Sequence, residues 1–283
     1  MNLWRTKIFA KLILSSLPFD YRLWSKIGLF RHGAMDDYSY AWSVLKTHAS
    51  VLKKNSNWKG LELGPGDGLL SAFLSPAVGS TGLTLVDAGN FAHKDWNLYE
   101  KQITQFLYAN PSLVVADFSK SRDIEGVLQS VNSSYYTHGL DSLRLQTKNS
   151  FDLIYSQAVF EHIRVHEFKE TMTECYQLLK INGIMSHVVD FKDHLGGKLN
   201  NMRFSSALWE KEWFAQNSGF YTNRIRLSEM VSICEKIGFI VEIRDIRCWD
   251  SLPIKRNKLA AEFKNILVKD LLVSSVHLVM TRT

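Results

Sequence analysis

Short apolar runs, each closed by glycine, proline or an acidic residue, alternate along this chain with longer stretches whose apolar positions recur every three or four residues. That alternation is the signature of βα units built around a mostly parallel sheet. It predicts strands at 58–63, 83–86 and 112–116, one opening at Phe151, and three more at 184–189, 239–246 and 271–280. Helices are predicted from a cap at Asp36 or Asp37 to about residue 54, and at 69–74, 95–108, 123–130, 166–180, 228–236 and 255–269. The 166–180 helix places Phe168, Met172, Cys175, Leu178 and Leu179 on one side, with Asn182-Gly183 as its stop. The fold class is therefore α/β with seven strands.

Three stretches fall outside this rhythm. Residues 131–149 are rich in Ser, Asn, Thr, Gly and Tyr, and read as an irregular insertion. Residues 191–226 are too long for a plain connection and read as a segment that covers a substrate. They set Trp209, Trp213, Phe220 and Tyr221 beside Asn200, Asn201, Arg203, Asn223, Arg224 and Arg226, a mixture that suits sugar binding by ring stacking and hydroxyl or phosphate contacts. Residues 1–57 read as a helical extension ahead of a domain at 58–283. Leu3, Trp4, Ile8, Leu12 and Ile13 give its first helix an apolar side, and a second short helical piece follows at 21–27. Arg5, Lys7 and Lys11 interrupt every apolar run, well short of the roughly 18 residues a spanning helix needs. No clean apolar core with a cleavage site marks a signal peptide. Peripheral contact with a membrane surface through this helix stays open.

Composition narrows the setting. With 283 residues, 46% of them hydrophobic, the chain can bury a full core. The cysteines Cys175, Cys234 and Cys248 are odd in number and widely spaced, which argues against disulfides and a zinc site and for a reducing, cytoplasmic compartment, including the inner face of the membrane. A net charge of +6 permits an acidic partner without requiring one.

The chemistry centres on Leu61-Glu62-Leu63-Gly64-Pro65-Gly66-Asp67-Gly68, where a strand runs through closely spaced glycines into a helix. Glycine lets the backbone turn sharply and a ligand lie against it. Asp87, 19 residues beyond Gly68, closes the second strand where open α/β sheets place an acidic ribose ligand. This stretch resembles motif I of the class I S-adenosylmethionine-dependent methyltransferases. The run from Phe151 through Ser156 and Phe160-Glu161-His162 is similar to the strand-four motif of small-molecule methyltransferases. The resemblance implies a Rossmann-like seven-stranded class I methyltransferase sheet and S-adenosylmethionine as cofactor. It implies Glu62, Gly64, Gly66, Gly68, Asp87, Asp117, Phe118 and Ser156 as cofactor-binding positions, with Asp117 meeting the adenine amino group and Phe118 beside the ring. Asp117 read as a turn cap is the alternative.

Methyl transfer to an alcohol needs a base or a metal ion, since a hydroxyl holds its proton tightly near neutral pH. His194 is the candidate base, oriented by Asp190 or Asp193, and His162 is the second candidate. The same carboxylates could instead hold Mg²⁺. The stretches Asp190–Gly197, Leu199–Phe204 and Gly219–Arg226 resemble sugar O-methyltransferases of bacterial surface-polysaccharide synthesis. The implied acceptor is a small molecule or glycan, a nucleotide- or lipid-linked sugar. Lipid or quinone methylation, RNA methylation through the basic 255–269 helix, and cofactor binding without catalysis are the rival readings. No nucleic acid is expected, because the basic residues of that helix are not interleaved with aromatics.

Overall fold

The computed structural model describes residues 34–53, 57–119, 121–217 and 220–283. The two short helices expected before residue 28 lie outside these residues. Seven strands form one sheet in the order β3-β2-β1-β4-β5-β7-β6. They are β1 (Trp58–Leu63), β2 (Ser80–Val86), β3 (Ser134–Tyr136), β4 (Phe151–Gln157), β5 (Leu179–Asp190), β6 (Phe239–Cys248) and β7 (Val273–Arg282). All pairs are parallel except those of β7, which inserts antiparallel between β5 and β6. The chain order reverses between β1 and β4, so their carboxyl ends open the crevice where such sheets bind ligands.

Alternation along the strands divides the core in two. Leu61, Leu63 and Ile154 point to a layer with Phe160, Phe168, Met172 and Met230. Trp58, Leu83, Leu153 and Tyr155 point to the opposite layer, with Phe73, Tyr99 and Phe106. Helix α1 (Tyr38–Ala49) belongs to that second layer through Ala41, Val44 and Leu45, and Asp37 caps it by accepting the amides of Ser39 and Tyr40. The described part of the N-terminal extension is thus integral to the core.

Four expectations are corrected. Residues 112–116 form no strand: Val114 is 70% exposed, and the amide of Ala116 bonds to the carbonyl of Phe73 instead of a sheet neighbour. The edge strand is Ser134–Tyr136, inside the stretch expected to be irregular. Its tyrosines favour extended backbone, and Tyr135 donates its hydroxyl to the carbonyl of Gly89. Residues 139–144 of that stretch form a further helix, Gly139–Arg144. The basic helix at 255–269 is absent. Ile254, Leu259 and Leu271 are drawn into a small cluster with Leu199 and Met202, and the amide of Ala260 bonds to Met202, leaving short turns at Arg256–Lys258 and Ala261–Phe263 and one turn of helix at Val268–Leu271. Tertiary contacts override local preference here. The helix Val165–Leu178 also ends earlier than expected, at Leu179, and Asn182-Gly183 lie within β5. Among the described residues, no helix is long and apolar enough to cross a membrane.

Candidate active site

The glycine turn follows β1 directly. Gly64 and Gly66 both adopt φ +65°, the left-handed region that β-carbon-bearing residues disfavour. A Cβ on Gly64 would sit 2.6 Å from Cγ2 of Val159, so this glycine lets β1 and the turn after β4 approach each other. Asp87, at the tip of β2, holds the turn from the other side. Its Oδ2 accepts the amide of Gly66 at 3.0 Å, and its Oδ1 the amide of Ala88 at 2.7 Å. Gly68 has a different task. A Cβ there would meet the backbone oxygen of Met35 at 2.1 Å, so Gly68 admits the segment leading into α1. That segment is tied further by Asp36, 3.5 Å from Nε2 of His93.

Glu62 faces the second core layer, 2% exposed, and accepts the hydroxyl of Ser71 from the helix Leu70–Leu74 that follows the turn. Burial, with Asp87 nearby, pushes its carboxyl up to about 7. Burial likewise raises Asp87 to about 6 against its backbone partners. Two buried carboxyls bracketing a glycine turn, both biased toward the neutral form, suit a ligand that brings positive charge and hydroxyls. S-adenosylmethionine carries a sulfonium, an ammonium and a ribose, and this donor set fits it.

Other expected cofactor positions are rearranged. Asp117 and Phe118 follow no sheet strand, because the edge strand lies elsewhere. Asp117 is exposed and accepts the amide of Ser119, and Phe118 packs against Trp96. Ser156 is fully buried inside the sheet, its hydroxyl 2.7 Å from Nδ1 of His187, which stands opposite it on β5. The pairing engages the hydroxyl of Ser156 within the core.

The acceptor side lies beyond β4 and β5. His162 and His194, from separate loops, meet edge to face with ring centroids 4.9 Å apart, and both are exposed. Nδ1 of His162 is 2.9 Å from the carbonyl of Tyr221. Asp190 and Asp193, expected to orient His194, both have other partners. Asp190 accepts the amide of Lys192 and pairs with that residue's ammonium at 3.3 Å. Asp193, 3% exposed, accepts the amides of Leu195 and Asn200 and so organises its own loop. Nor do these carboxylates converge on a cation: among the described residues, no group of three or more His, Cys, Asp or Glu is placed to hold a metal ion.

The covering segment folds on itself. Trp209 stacks on Phe204 at 5.5 Å and packs with Phe214 and Phe220, while its indole donates to the carbonyl of Thr222. Arg224 serves Phe204 and Ser206, and Arg226 is spent on the carbonyls of Phe191, Asp270 and Val273. Asn223 clamps the turn after β4 by donating to the carbonyls of Phe160 and Ile163. Most of the groups expected to grip a sugar are therefore structural; Trp213, 52% exposed, is not buried in this core.

Glu161 is a further candidate that the sequence reading does not single out. It lies on the turn after β4, 3% exposed, and neither carboxyl oxygen has a hydrogen-bond partner. An acidic residue next to a histidine at a strand end was the signal available in the sequence. A second feature was also unforeseen: His48 of α1 and His277 of β7 share the hydroxyl of Ser186, each at 2.8 Å, joining α1 to the sheet.

Residues 61–186 match a family model described as a methyltransferase domain. No curated protein matches the chain. Among solved structures, it is similar to phosphoethanolamine N-methyltransferase 2 of Haemonchus contortus in complex with S-adenosyl-L-methionine, at 14% identity and a TM-score of 0.47, covering 98% of this chain and 57% of that one. It is also similar to an S-adenosylmethionine-dependent methyltransferase from Mesorhizobium loti, at 15% identity and a TM-score of 0.46, covering 85% of this chain and 97% of that one. The chain thus spans little more than half of the nematode enzyme. The family match lies across β1 to β5, over less than half of the chain, and the sheet has its strand order reversed between β1 and β4.

Proposed function

We propose that the chain is a class I S-adenosylmethionine-dependent methyltransferase, with a domain at 58–283 and an N-terminal extension at 1–57, and that its acceptor is a hydroxyl of a sugar, nucleotide- or lipid-linked. The observation that carries this reading is the polar mouth beyond β4 and β5, where His162 and His194 meet beside the ion pair of Asp190 and Lys192. An acceptor rich in hydroxyls fits such a mouth. A quinone or lipid tail would call for an apolar channel, and the RNA alternative loses the basic helix on which it rested. A nucleotide-linked acceptor agrees with a cytoplasmic setting.

In this proposal S-adenosylmethionine supplies an electrophilic methyl group on a cationic sulfur. The chain's own work is placement. Gly64 and Gly66 open the turn, Asp87 takes the ribose hydroxyls while holding that turn, and Glu62 meets positive charge from below. His162 and His194 contact the acceptor's hydroxyls, and the loop organised by Asp193 keeps His194 at the mouth.

Calorimetric titration with S-adenosylmethionine, for wild type beside Gly66→Arg and Asp87→Ala, tests the cofactor side. Binding lost in both variants is expected. Labelled methyl transfer to UDP-, dTDP- and GDP-linked hexoses, against vesicles bearing quinone or phospholipid, tests the acceptor. Transfer to the vesicles alone would overturn the sugar reading.

A further inference from the structure

We propose that Glu161 receives the acceptor's proton during methyl transfer, a role that rests on the oxygen-acceptor reading above. The carboxyl lies at the end of β4, beside a cavity of about 10 Å³ that is also lined by Asp190, Lys192, Asn201 and Arg224. That volume is about the room one water needs, and thus one hydroxyl oxygen. Neither oxygen of Glu161 has a hydrogen-bond partner, although its own amide and that of Asp190 lie close enough to favour the charged form somewhat.

The other groups that could take the proton are committed or open to water. Asp190 is held by Lys192, and Asp193 by two backbone amides. The arginines that face the cavity do not neutralise Glu161: Arg224 bonds Phe204, Ser206 and Glu210, and Arg226 bonds backbone carbonyls. His162 and His194 are exposed and pair with each other. Among these groups, Glu161 combines free lone pairs with shelter from water.

Its surroundings set its affinity for a proton. Burial is the largest influence, the negative charge of Asp190 adds to it, Lys192 opposes it, and together they push the carboxyl up to about 8. A buried carboxyl without partners weakens a fold, and a chain keeps such a group where chemistry needs it. In the transfer, a lone pair of the acceptor oxygen forms the new O–CH₃ bond. The S–CH₃ bond breaks with its electron pair left on sulfur, and the O–H proton passes to the carboxylate of Glu161. A proton acceptor with raised affinity near neutral pH is suited to this task.

The test uses the full chain as wild type, Glu161→Gln and Glu161→Asp. Three quantities are measured: affinity for S-adenosylhomocysteine by calorimetry, melting temperature from pH 5 to 9, and methyl transfer to the nucleotide-linked hexoses. Glu161→Gln should bind S-adenosylhomocysteine as wild type does. It should melt higher than wild type at pH 9, with the gap narrowing toward pH 5, because a carboxyl raised in the fold gives its full stability below its unfolded value and loses it as pH rises through about 8. Its kcat should fall at least 100-fold with KM for S-adenosylmethionine unchanged, whereas Glu161→Asp should keep a rate that rises with pH. A Glu161→Gln chain that melts lower at pH 9, or that retains wild-type kcat, overturns the proposal. If wild type binds S-adenosylmethionine but methylates no nucleotide-linked hexose, the sugar reading fails. The melting comparison then decides Glu161 by itself: a higher melting point for Glu161→Gln upholds a carboxyl kept against stability, and a lower one makes it structural.

Discussion

Asp87 accepts the amide of Gly66 at 3.0 Å, so the residue just after β2 fixes the shape of the turn that leaves β1. One side chain therefore shapes the turn, and in the proposed function the same carboxylate meets the cofactor. Asp87→Asn keeps an oxygen for the Gly66 amide but gives up the charge. This variant should retain its fold and bind S-adenosylmethionine at least about tenfold more weakly, a loss of about 1.4 kcal/mol. Calorimetry beside a melting curve separates the two effects, and unchanged affinity would remove Asp87 from the cofactor site.

Glu62 gives the free protein a pH dependence of definite sign. Its carboxyl is raised from 4.5 to about 7, so between those values the folded chain holds a proton that the unfolded chain has released. Stability from this group is complete below about pH 4.5 and is lost as pH rises through about 7. Denaturant titrations should show wild type weakening from pH 5 to 8, and Glu62→Gln should flatten that decline by up to about 3 kcal/mol. A decline of the same size in both proteins would mean that other groups carry it.

Gly64→Ala places a methyl group 2.6 Å from Val159 on a backbone at φ +65°. The left-handed conformation costs about 1–2 kcal/mol for a residue with a β-carbon, and the overlap adds about 1–3 kcal/mol. Val159→Ala in the same chain should recover the overlap and leave the strain. A double-mutant cycle by chemical denaturation should therefore show favourable coupling of about 1 kcal/mol or more. Strictly additive effects would mean that the two residues do not press on each other.

Much of this architecture is legible in the pattern of residues. The two strongest strands, at Trp58 and Phe151, carry long apolar runs, and their order and termini are marked by glycine and acidic residues. The carboxylates at Glu62 and Asp87 follow from position alone. Register and partners are not. Ser156 reads as a residue of the cleft until β5 sets His187 opposite it. Asp117 follows an apolar run that never joins the sheet, whereas Tyr135 hides in a polar stretch and pairs with Leu85. Gly68 looks like one more ligand-facing glycine because nothing nearby in sequence announces that Met35 lies against it. The basic run at 255–269 has the composition of a helix, but its few apolar residues are worth more in the cluster with Met202.

Gly68→Ala tests that packing directly. The added Cβ would stand 2.1 Å from the carbonyl oxygen of Met35, a backbone atom that cannot swing aside. The segment leading into α1 should be displaced, with loss of the Asp36–His93 contact and several degrees of melting temperature. Limited proteolysis should cut before residue 38 faster in the variant than in wild type. Equal cleavage rates would show that the approach of Met35 is easily relieved.

Trp209 is the centre of the covering segment's own core, fully buried against Phe204, Phe214 and Phe220, with its indole bonded to Thr222. Removing a buried tryptophan costs about 3–5 kcal/mol. Here the loss should fall on this local cluster, which is separate from the two layers that hold the sheet. Trp209→Ala should therefore bind S-adenosylmethionine with wild-type affinity while its amides around 199–215 exchange hydrogen much faster. Because Asn223 of the same segment clamps the turn carrying Glu161 and His162, methyl transfer should fall even with the cofactor bound. Loss of cofactor affinity in proportion to activity would show that the segment and the glycine turn unfold together, and that the cover is not an independent unit.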